Sequence, residues 1–471
     1  MTSDRDRDRD LIQQPGELGS NDWRRRCMAT EPKSLRTFTP SLAVIHRAEG
    51  WTVYTVEDRP LVDFSSGVLV ANLGHHPTDW WERVLDHLGL QSASATDPYA
   101  RAVPLTAYNA VTPLEVLANE RLLQNMRNEP GGGRMECVMW AASGSEAIQK
   151  TLWCAMRFRP GKDMVLATRY GFHGKKGIAG AVTGTEQDKE RDPRVKFITF
   201  PCQESIDLAA SRRPIDLAPY QEEFEQVMAE WGDRIGTVIT EPYLGGGGSF
   251  HPHPDYLQWL QEACRKHDLV LILDEIQSCF GRTGPMYAYT KYGIEPDVVC
   301  LGKGLGNGIP VSAAVGRRDI LDALDYGECS DTFSANPLAM AAVLATLDLF
   351  ESTDVLQRAA ELSDTLEAGL LRLTDTGLIA HVRGEGCVWG IECHDFAGHD
   401  AREVARACVE TCYLGDDRRR AVHLLGPLAG KVIRISPPLV TPPEVAAEAL
   451  DVMDQLFHRL ARELEADPVT S

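Results

Sequence analysis

The chain has 471 residues, of which 43% are hydrophobic and 25% charged, a composition typical of a soluble globular protein with more than one domain. Its net charge of −20 argues against nucleic acid or an anionic membrane as a partner. No apolar run approaches the ~20 residues needed to span a bilayer. The N-terminus lacks the apolar core of a secretion signal, so we expect a cytoplasmic protein.

Cysteine and histidine spacings do not predict a metal site. The twelve cysteines form no C-x-x-C pair, which favours reduced thiols in a reducing compartment. The pairs His75-His76 and His251/His253 are interrupted by prolines and lack a regular third ligand.

The chain begins with a segment that has few apolar residues to pack into a core. Residues 1–35 are rich in charge, Gly, Pro and Gln, which predicts a flexible arm. Alternating patterns at 51–56 and 61–64, with a turn between them, predict a hairpin. Helical patterns follow at 117–127 and 145–158.

Short apolar strands then alternate with helices, which implies a mostly parallel sheet covered on both faces. The seven candidate strands are 135–140, 164–168, 196–200, 237–240, 270–274, 298–302 and 313–316. Intervening helices are predicted at 221–231 and 255–267. A long helical run follows Asn336-Pro337, and beyond about residue 355 helices alternate with strands at 390–392 and 432–435.

The sequence therefore predicts an α/β protein whose large domain carries a mostly parallel seven-stranded sheet, beside a smaller α+β domain. We divide the chain into the arm at 1–35, an N-terminal part of the small domain at 36–80, a large domain at 81–350 and a C-terminal small domain at 351–471.

Two charged residues close neighbouring buried strands. Asp274 follows an apolar run within D-E-I-Q, and Lys303 follows another within L-G-K-G-L-G. Open α/β sheets place their chemistry at the carboxyl ends of such strands. Alone, the Asp is more often a helix cap and the Lys a solvated strand end. Together they are the groups that pyridoxal phosphate needs: a carboxylate for the pyridine nitrogen and an amine for the Schiff base.

Further residues suit the same cofactor. Gly144 and Ser145 open a helix after a strand, where free N–H groups favour a phosphate, although S-x-x-E is also an ordinary capping box. Phe172 follows another strand and could stack on a planar ring or simply fill the core. Ile276 could cover the other face of the ring, and Gln277 could donate to the phenolic oxygen.

Two more charged residues belong to this constellation. Glu241 ends a strand and brings a carboxylate to the same sheet edge. Arg434, in V-I-R-I-S-P-P-L, suits bidentate binding of a carboxylate, the alternative being a structural ion pair.

From about Leu42 to Leu456 the chain resembles the class III aminotransferases of fold type I, the pyridoxal phosphate family that includes ornithine and γ-aminobutyrate aminotransferases. The motifs that carry the resemblance are D-F-S-S-G…N-L-G-H-H-P, S-G-S-E-A, F-H-G, E-P, D-E-I-Q…G-R-T-G, L-G-K-G, D-T-F-S-A-N-P-L and R-I-S-P-P-L. The resemblance implies a homodimer with shared active sites and a small domain built from both chain ends.

The resemblance also implies residue roles. Lys303 would be the Schiff-base lysine and proton shuttle, and Asp274 would pair with the pyridine nitrogen. Thr332 would reach the phosphate of the neighbouring subunit, and Arg434 would bind the α-carboxylate of glutamate or 2-oxoglutarate. The phosphate, ring and phenolic-oxygen contacts would come from Gly144, Ser145, Phe172 and Gln277.

The chain departs from the ornithine and γ-aminobutyrate enzymes at three substrate positions. Gly246 replaces the Glu of G-E-A-G, Lys175 replaces the Arg of H-G-R-T, and Val68 replaces the tyrosine of the ornithine enzymes. We expect a roomier, less charged pocket. The segment E-P-Y-L-G-G-G-G-S-F-H-P is similar to class III enzymes that aminate sugar-derived aldehydes in aminoglycoside antibiotic pathways, which makes such an aldehyde a candidate acceptor.

Alternative functions stay open. An epimerase, mutase or decarboxylase would use the same Lys and Asp. A nicotinamide-dependent dehydrogenase is suggested by Gly304-x-Gly306-x-Gly308, but no helix opens there and Pro310 follows. A non-catalytic binding role is a third alternative.

Overall fold

The computed structural model describes residues 12–37, 39–90, 99–188 and 191–466. The strands are β1 Ile45–Glu49, β2 Thr52–Thr55, β3 Pro60–Asp63, β4 Cys137–Ala141, β5 Met164–Thr168, β6 Val195–Ile198, β7 Ile235–Thr240, β8 Val270–Asp274, β9 Val298–Leu301, β10 Ser312–Gly316, β11 Ile379–Glu385, β12 Val388–Cys393, β13 Val422–His423 and β14 Val432–Ile435.

The helices are α1 Leu18–Thr30, α2 Ser66–Leu69, α3 Thr78–Leu88, α4 Pro113–Asn128, α5 Gly144–Phe158, α6 Gly177–Ala181, α7 Leu208–Ser211, α8 Ala218–Trp231, α9 Pro254–Lys266, α10 Ala288–Tyr292, α11 Arg318–Leu321, α12 Pro337–Ser352, α13 Val355–Arg372, α14 Ala401–Leu414 and α15 Pro443–Ala466. In the part of the chain covered by the structure, no helix is both long and apolar enough to cross a membrane.

The central element is a seven-stranded sheet of order β4-β10-β9-β8-β7-β5-β6. All pairs are parallel except those of β10, which runs antiparallel to β4 and β9. Strands β5, β7, β8 and β9 are buried along their whole length, as their continuous apolar runs require when helices cover both faces. The predicted mostly parallel seven-stranded sheet is confirmed.

Two smaller sheets join distant parts of the chain. The predicted hairpin is β2–β3, and β3 pairs in parallel with β13 near the C-terminus. Strands β11, β12 and β14 form an antiparallel sheet. Both chain ends therefore contribute to one sheet, while the domain boundaries at 36, 81 and 351 stay predictions.

The segment predicted as a flexible arm contains helix α1 in the part that the structure describes. Helix α1 buries Ser20 and Arg24. Glu17, the residue before the helix, makes several polar contacts. The Glu17 carboxylate accepts hydrogen bonds from Arg24 at 2.8 Å, Arg59 at 2.7 Å and Tyr413 at 2.9 Å. A few long-range polar contacts order this segment despite its composition. Residues 1–11 of the predicted arm lie outside the described residues.

Arg282, in the G-R-T-G motif, ties the sheet's loops to both chain ends. Its side chain is fully buried and donates to Asn72 Oδ1 at 2.6 Å. It also donates to the carbonyl oxygens of Cys387 at 2.9 Å and Pro437 at 2.6 Å. Because a buried guanidinium is costly unless its N–H groups are satisfied, these contacts hold the three segments in one arrangement.

Candidate active site

Asp274 and Lys303 lie at the carboxyl ends of adjacent parallel strands. The register of β8 and β9 pairs Asp274 with Cys300, three residues before Lys303. Lys303 begins a single 3-10 turn with a left-handed φ of 47°, a conformation that is disfavoured for a side-chain-bearing residue and often found at functional sites. Burial lowers the pKa of Lys303 to about 7, and the charge of Arg434 acts in the same direction.

Asp274 is held by a buried histidine that the sequence did not single out. His173 Nδ1 lies 2.7 Å from Asp274 Oδ2, and the backbone N–H of Ile276 donates to Asp274 Oδ1 at 3.0 Å. Burial opposes the charged form of His173, but the hydrogen bond and charge of Asp274 outweigh it and raise the pKa of His173.

Glu241 supports the loop that carries Phe172. Its carboxylate accepts hydrogen bonds from the backbone N–H groups of Phe172 at 2.9 Å and Gly245 at 3.3 Å. Burial raises the pKa of Glu241 to about 7, with His173 opposing and Asp274 adding to the effect. Phe172 is 40% exposed, so the surrounding protein covers it only in part.

The start of α5 forms a closely packed cradle with its neighbours. The Ser143 hydroxyl accepts from the N–H of Glu146 at 3.4 Å, so Ser143 caps the helix. Gly144 and Ser145 follow, and their N–H groups have no helical carbonyl partner. A Cβ on Gly144 would lie 2.8 Å from Ile276 Cδ1, and a Cβ on Gly174 would lie 2.3 Å from Ser145 Oγ.

Gln277 and Arg434 are in contact, an arrangement that the sequence did not predict. Arg434, on β14, donates from Nη1 to Gln277 Oε1 at 3.3 Å, and the Tyr243 hydroxyl donates to the same oxygen at 3.4 Å. Arg434 is 4% exposed. Among the described residues no carboxylate lies within 4.0 Å of its guanidinium, so the alternative of a structural ion pair is not realised there.

Gly246 lies directly against Phe172. A Cβ at this position would lie 2.8 Å from Phe172 Cβ, so the glycine lets the loop approach the aromatic side chain closely. The roomier pocket stays a prediction.

Three predicted residues lie outside the buried cluster. Thr332 is exposed in a loop before α12, and Lys175 is exposed before α6. Val68 is 45% exposed in α2, where its left-handed φ of 71° is unusual for a β-branched residue. The cluster proper contains Gly144, Ser145, Phe172, Glu241, Gly246, Asp274, Ile276, Gln277, Lys303 and Arg434.

The glycines after Lys303 allow neighbouring segments to pack closely against this turn. A Cβ on Gly304 would lie 2.4 Å from Asn72 Nδ2, and one on Gly306 would lie 2.3 Å from the carbonyl oxygen of Ile309. The 3-10 turn ends at Leu305, so these glycines do not open a helix as a dinucleotide site requires.

Comparison with known proteins gives a consistent result along most of the chain. The sequence profile described as Aminotransferase class-III matches residues 35–457. The chain is 29% identical to the 4-aminobutyrate aminotransferase of Mycobacterium leprae, covering 94% of this chain and 96% of the relative. It is 30% identical to the acetylornithine aminotransferase of Agrobacterium fabrum, covering 88% and 93%.

A similar solved structure is the PLP-bound amine transaminase from an uncultivated Pseudomonas species. It superposes with a TM-score of 0.74 at 26% identity, covering 92% of this chain and 97% of that one.

Proposed function

This chain belongs to the aminotransferase class-III family, and we propose that it moves an amino group from a donor such as glutamate to a keto or aldehyde acceptor. Its cofactor is pyridoxal 5'-phosphate, which the family uses and which the similar amine transaminase contains. The observation that carries the proposal is the pairing of a Lys of lowered pKa with a buried, histidine-held Asp on adjacent strand ends.

The residues of the site fit this cofactor. The open N-terminus of α5 at Gly144 and Ser145 suits an anionic phosphate, since its N–H groups and dipole favour negative charge. The partly exposed side chain of Phe172 suits an aromatic ring, and Ile276, packed against Gly144, offers an apolar surface. Asp274 would hold a proton on the ring nitrogen.

The chain's own residues then supply the proton transfers. When bound, the cofactor supplies an electron sink for the bond broken at the substrate carbon. A pKa of about 7 leaves Lys303 Nζ partly neutral near neutral pH, so it can accept the α-proton and return it. Asp274, in hydrogen-bond contact with His173, would lie beside the ring nitrogen and support the charge that makes the sink effective.

We expect Lys303→Ala to abolish turnover while the protein still binds the cofactor noncovalently. Absorbance spectra before and after borohydride give the readout, because only the wild-type imine can be reduced onto the chain. Lys266→Ala, which removes an exposed lysine on α9, is the control and should keep both properties. Near-normal turnover of Lys303→Ala would contradict the assignment.

For the donor we propose an amino acid whose α-carboxylate is bound by Arg434. A buried guanidinium without a carboxylate partner among the described residues favours a ligand that brings one. Glutamate and its product 2-oxoglutarate have such a group.

For the acceptor we propose a carbonyl compound that includes the sugar-derived or aminoglycoside aldehydes. The departures at Val68, Lys175 and Gly246 support a substrate other than ornithine or γ-aminobutyrate, and the net charge of −20 suits a cationic acceptor. Half-reaction spectra test both steps. Glutamate should convert the cofactor to its amine form, and a panel of 2-oxo acids and amino-sugar aldehydes should then restore the original spectrum.

We also propose a homodimer with shared active sites. The exposed loop before α12 carries Thr332 and the exposed aromatic side chains Tyr326 and Phe333, which are 107% and 60% exposed. Exposed apolar surface of this kind suits a subunit interface. Thr332 would there complete the phosphate site of the partner.

A further inference from the structure

Tyr243 is a buried tyrosine beside the candidate site that the roles above do not use. It follows Glu241-Pro242 at the end of β7 and is 1% exposed. Its hydroxyl donates to Gln277 Oε1 at 3.4 Å, the oxygen to which Arg434 also donates. Burial raises the pKa of Tyr243, so the hydroxyl keeps its proton and stays a donor.

Two donors on one amide oxygen fix the direction of the Gln277 side chain. If the amide turned over, its NH2 group would face the Arg434 guanidinium, which has no acceptor, and the Tyr243 hydroxyl would have to accept instead of donate. No hydrogen bond from Gln277 Nε2 is found within the described ranges of the chain. The Nε2 donor is therefore directed away from this pair and is available to a ligand.

The ring of Tyr243 is held firmly in this position. It stacks on His251 with the ring centroids 4.3 Å apart and the planes at 8°. His251 Nδ1 lies 3.2 Å from Glu385 at the end of β11. From the other side, a Cβ on Gly245 would lie 2.2 Å from Gln277 Oε1, so the loop packs directly against the amide. These contacts hold the tyrosine ring and the plane of the amide in place.

We propose that Tyr243 is a positioning residue that directs the Gln277 amide donor toward the phenolic oxygen of the cofactor. This inference rests on the proposed function. A donor at that oxygen stabilises its anionic form and lowers the pH at which the proton shared with the lysine imine is lost. Without the tyrosine hydroxyl, Arg434 alone holds the amide oxygen, so the amide is less firmly oriented and its donor points at the cofactor oxygen for a smaller share of the time.

The test is Tyr243→Phe in the cofactor-loaded enzyme, measured by pH titration of the visible absorption band. The midpoint should rise by an amount on the order of half a pH unit. Gln277→Ala should shift it in the same direction, and the double variant should shift it no further than Gln277→Ala alone, because the tyrosine acts through the glutamine.

Tyr287→Phe is the matched control. Tyr287 is also fully buried, stacks on Tyr289 and donates to an amide oxygen, that of Asn125 at 2.7 Å, away from the cluster. It should leave the midpoint unchanged. An unshifted Tyr243→Phe alongside a shifted Gln277→Ala would overturn the proposal, as would equal shifts in Tyr243→Phe and Tyr287→Phe, or additive shifts in the double variant. Absence of a borohydride-sensitive band in the wild type would instead refute the proposed function.

Discussion

His173 is a buried hydrogen-bond partner of Asp274. Its contact with Asp274 joins residues that are 101 positions apart, and neither side chain has appreciable solvent exposure. Among the residues that the structure describes, the other hydrogen-bond donor to the buried Asp274 carboxylate is the N–H of Ile276, and a buried carboxylate with fewer donors is less favourable.

We expect His173→Phe to weaken cofactor binding. A hydrogen bond to a charged group contributes about 1.5–3 kcal/mol, which corresponds to roughly 10- to 100-fold in affinity. The measurement is titration of pyridoxal phosphate into the apoenzyme. His173→Asn, which retains an N–H donor, should recover part of the loss, and thermal unfolding should verify that both variants are folded. Equal affinities for wild type and His173→Phe would show that Asp274 does not depend on the histidine.

From the sequence, the residues of the candidate site were easier to predict than the residues that contact them. Asp274 and Lys303 stand out because an apolar strand followed by a charged residue is a local pattern. Tyr243 and His173 give no such signal, since their roles depend on contacts with Gln277 and Asp274 that only the sheet order brings about. The sequence shows that glycine stands at position 246, but the close approach of its loop to Phe172 is seen only in the structure.

At the scale of elements, contacts between charged and polar side chains connect α10 to the end of β11. Lys291 Nζ lies 2.9 Å from Glu385 Oε2, and the Tyr292 hydroxyl donates to Glu385 Oε1 at 2.9 Å. Burial would raise the pKa of Glu385, but the charges of Lys291 and His251 outweigh it and lower the pKa from 4.5 to about 2. The carboxylate is therefore more stable in the folded state than in the unfolded chain.

The folding free energy should depend on this carboxylate in acid. A lowered pKa gives stability that is fully present above pH 4.5 and is lost as the pH falls toward about 2. The full effect is at most about 3 kcal/mol. Urea denaturation between pH 7 and pH 3 should show a smaller loss of stability in Glu385→Gln than in wild type. Glu262→Gln, which alters an exposed pair with Arg265, should follow the wild-type curve, and parallel curves for Glu385→Gln would contradict the prediction.

Elements with a regular pattern were predicted well, and the irregular ones were missed. The seven strands of the large sheet were found because each is a short, mainly apolar run. Strand β11 was missed because its register shifts between Ile379 and His381 and its burial does not alternate. Helix α4 begins at Pro113, four residues before the predicted start, because Thr112 caps it and proline is accepted in the first turn.

At the scale of the whole molecule, long-range contacts place the site between the sheet and the chain ends. Arg434 comes from β14, whereas its partner Gln277 follows β8. Arg282 binds segments around Asn72, Cys387 and Pro437 in one network. Arg434 is therefore fixed relative to Asp274 by folding of the complete chain, which local patterns cannot specify.

The proposed sharing of sites between subunits makes a prediction about hybrid dimers. We expect Lys303→Ala and Thr332→Glu to be inactive as homodimers, the second because its carboxylate would repel the cofactor phosphate. A hybrid with one subunit of each type contains one site with both changes and one with neither. Co-expressed with two affinity tags and purified, it should have about half of the wild-type activity.

The reciprocal hybrid separates sharing from its alternative. When wild type is paired with a subunit that carries both changes, Lys303→Ala and Thr332→Glu, every shared site contains one defect, and the hybrid should be inactive. If Thr332 instead served the site of its own subunit, the outcomes would be reversed. The hybrid of wild type with the double variant would keep one intact site, and the hybrid of the two single variants would keep none. The two hybrids contain the same substitutions in equal number, so a general loss of stability cannot produce the difference between them.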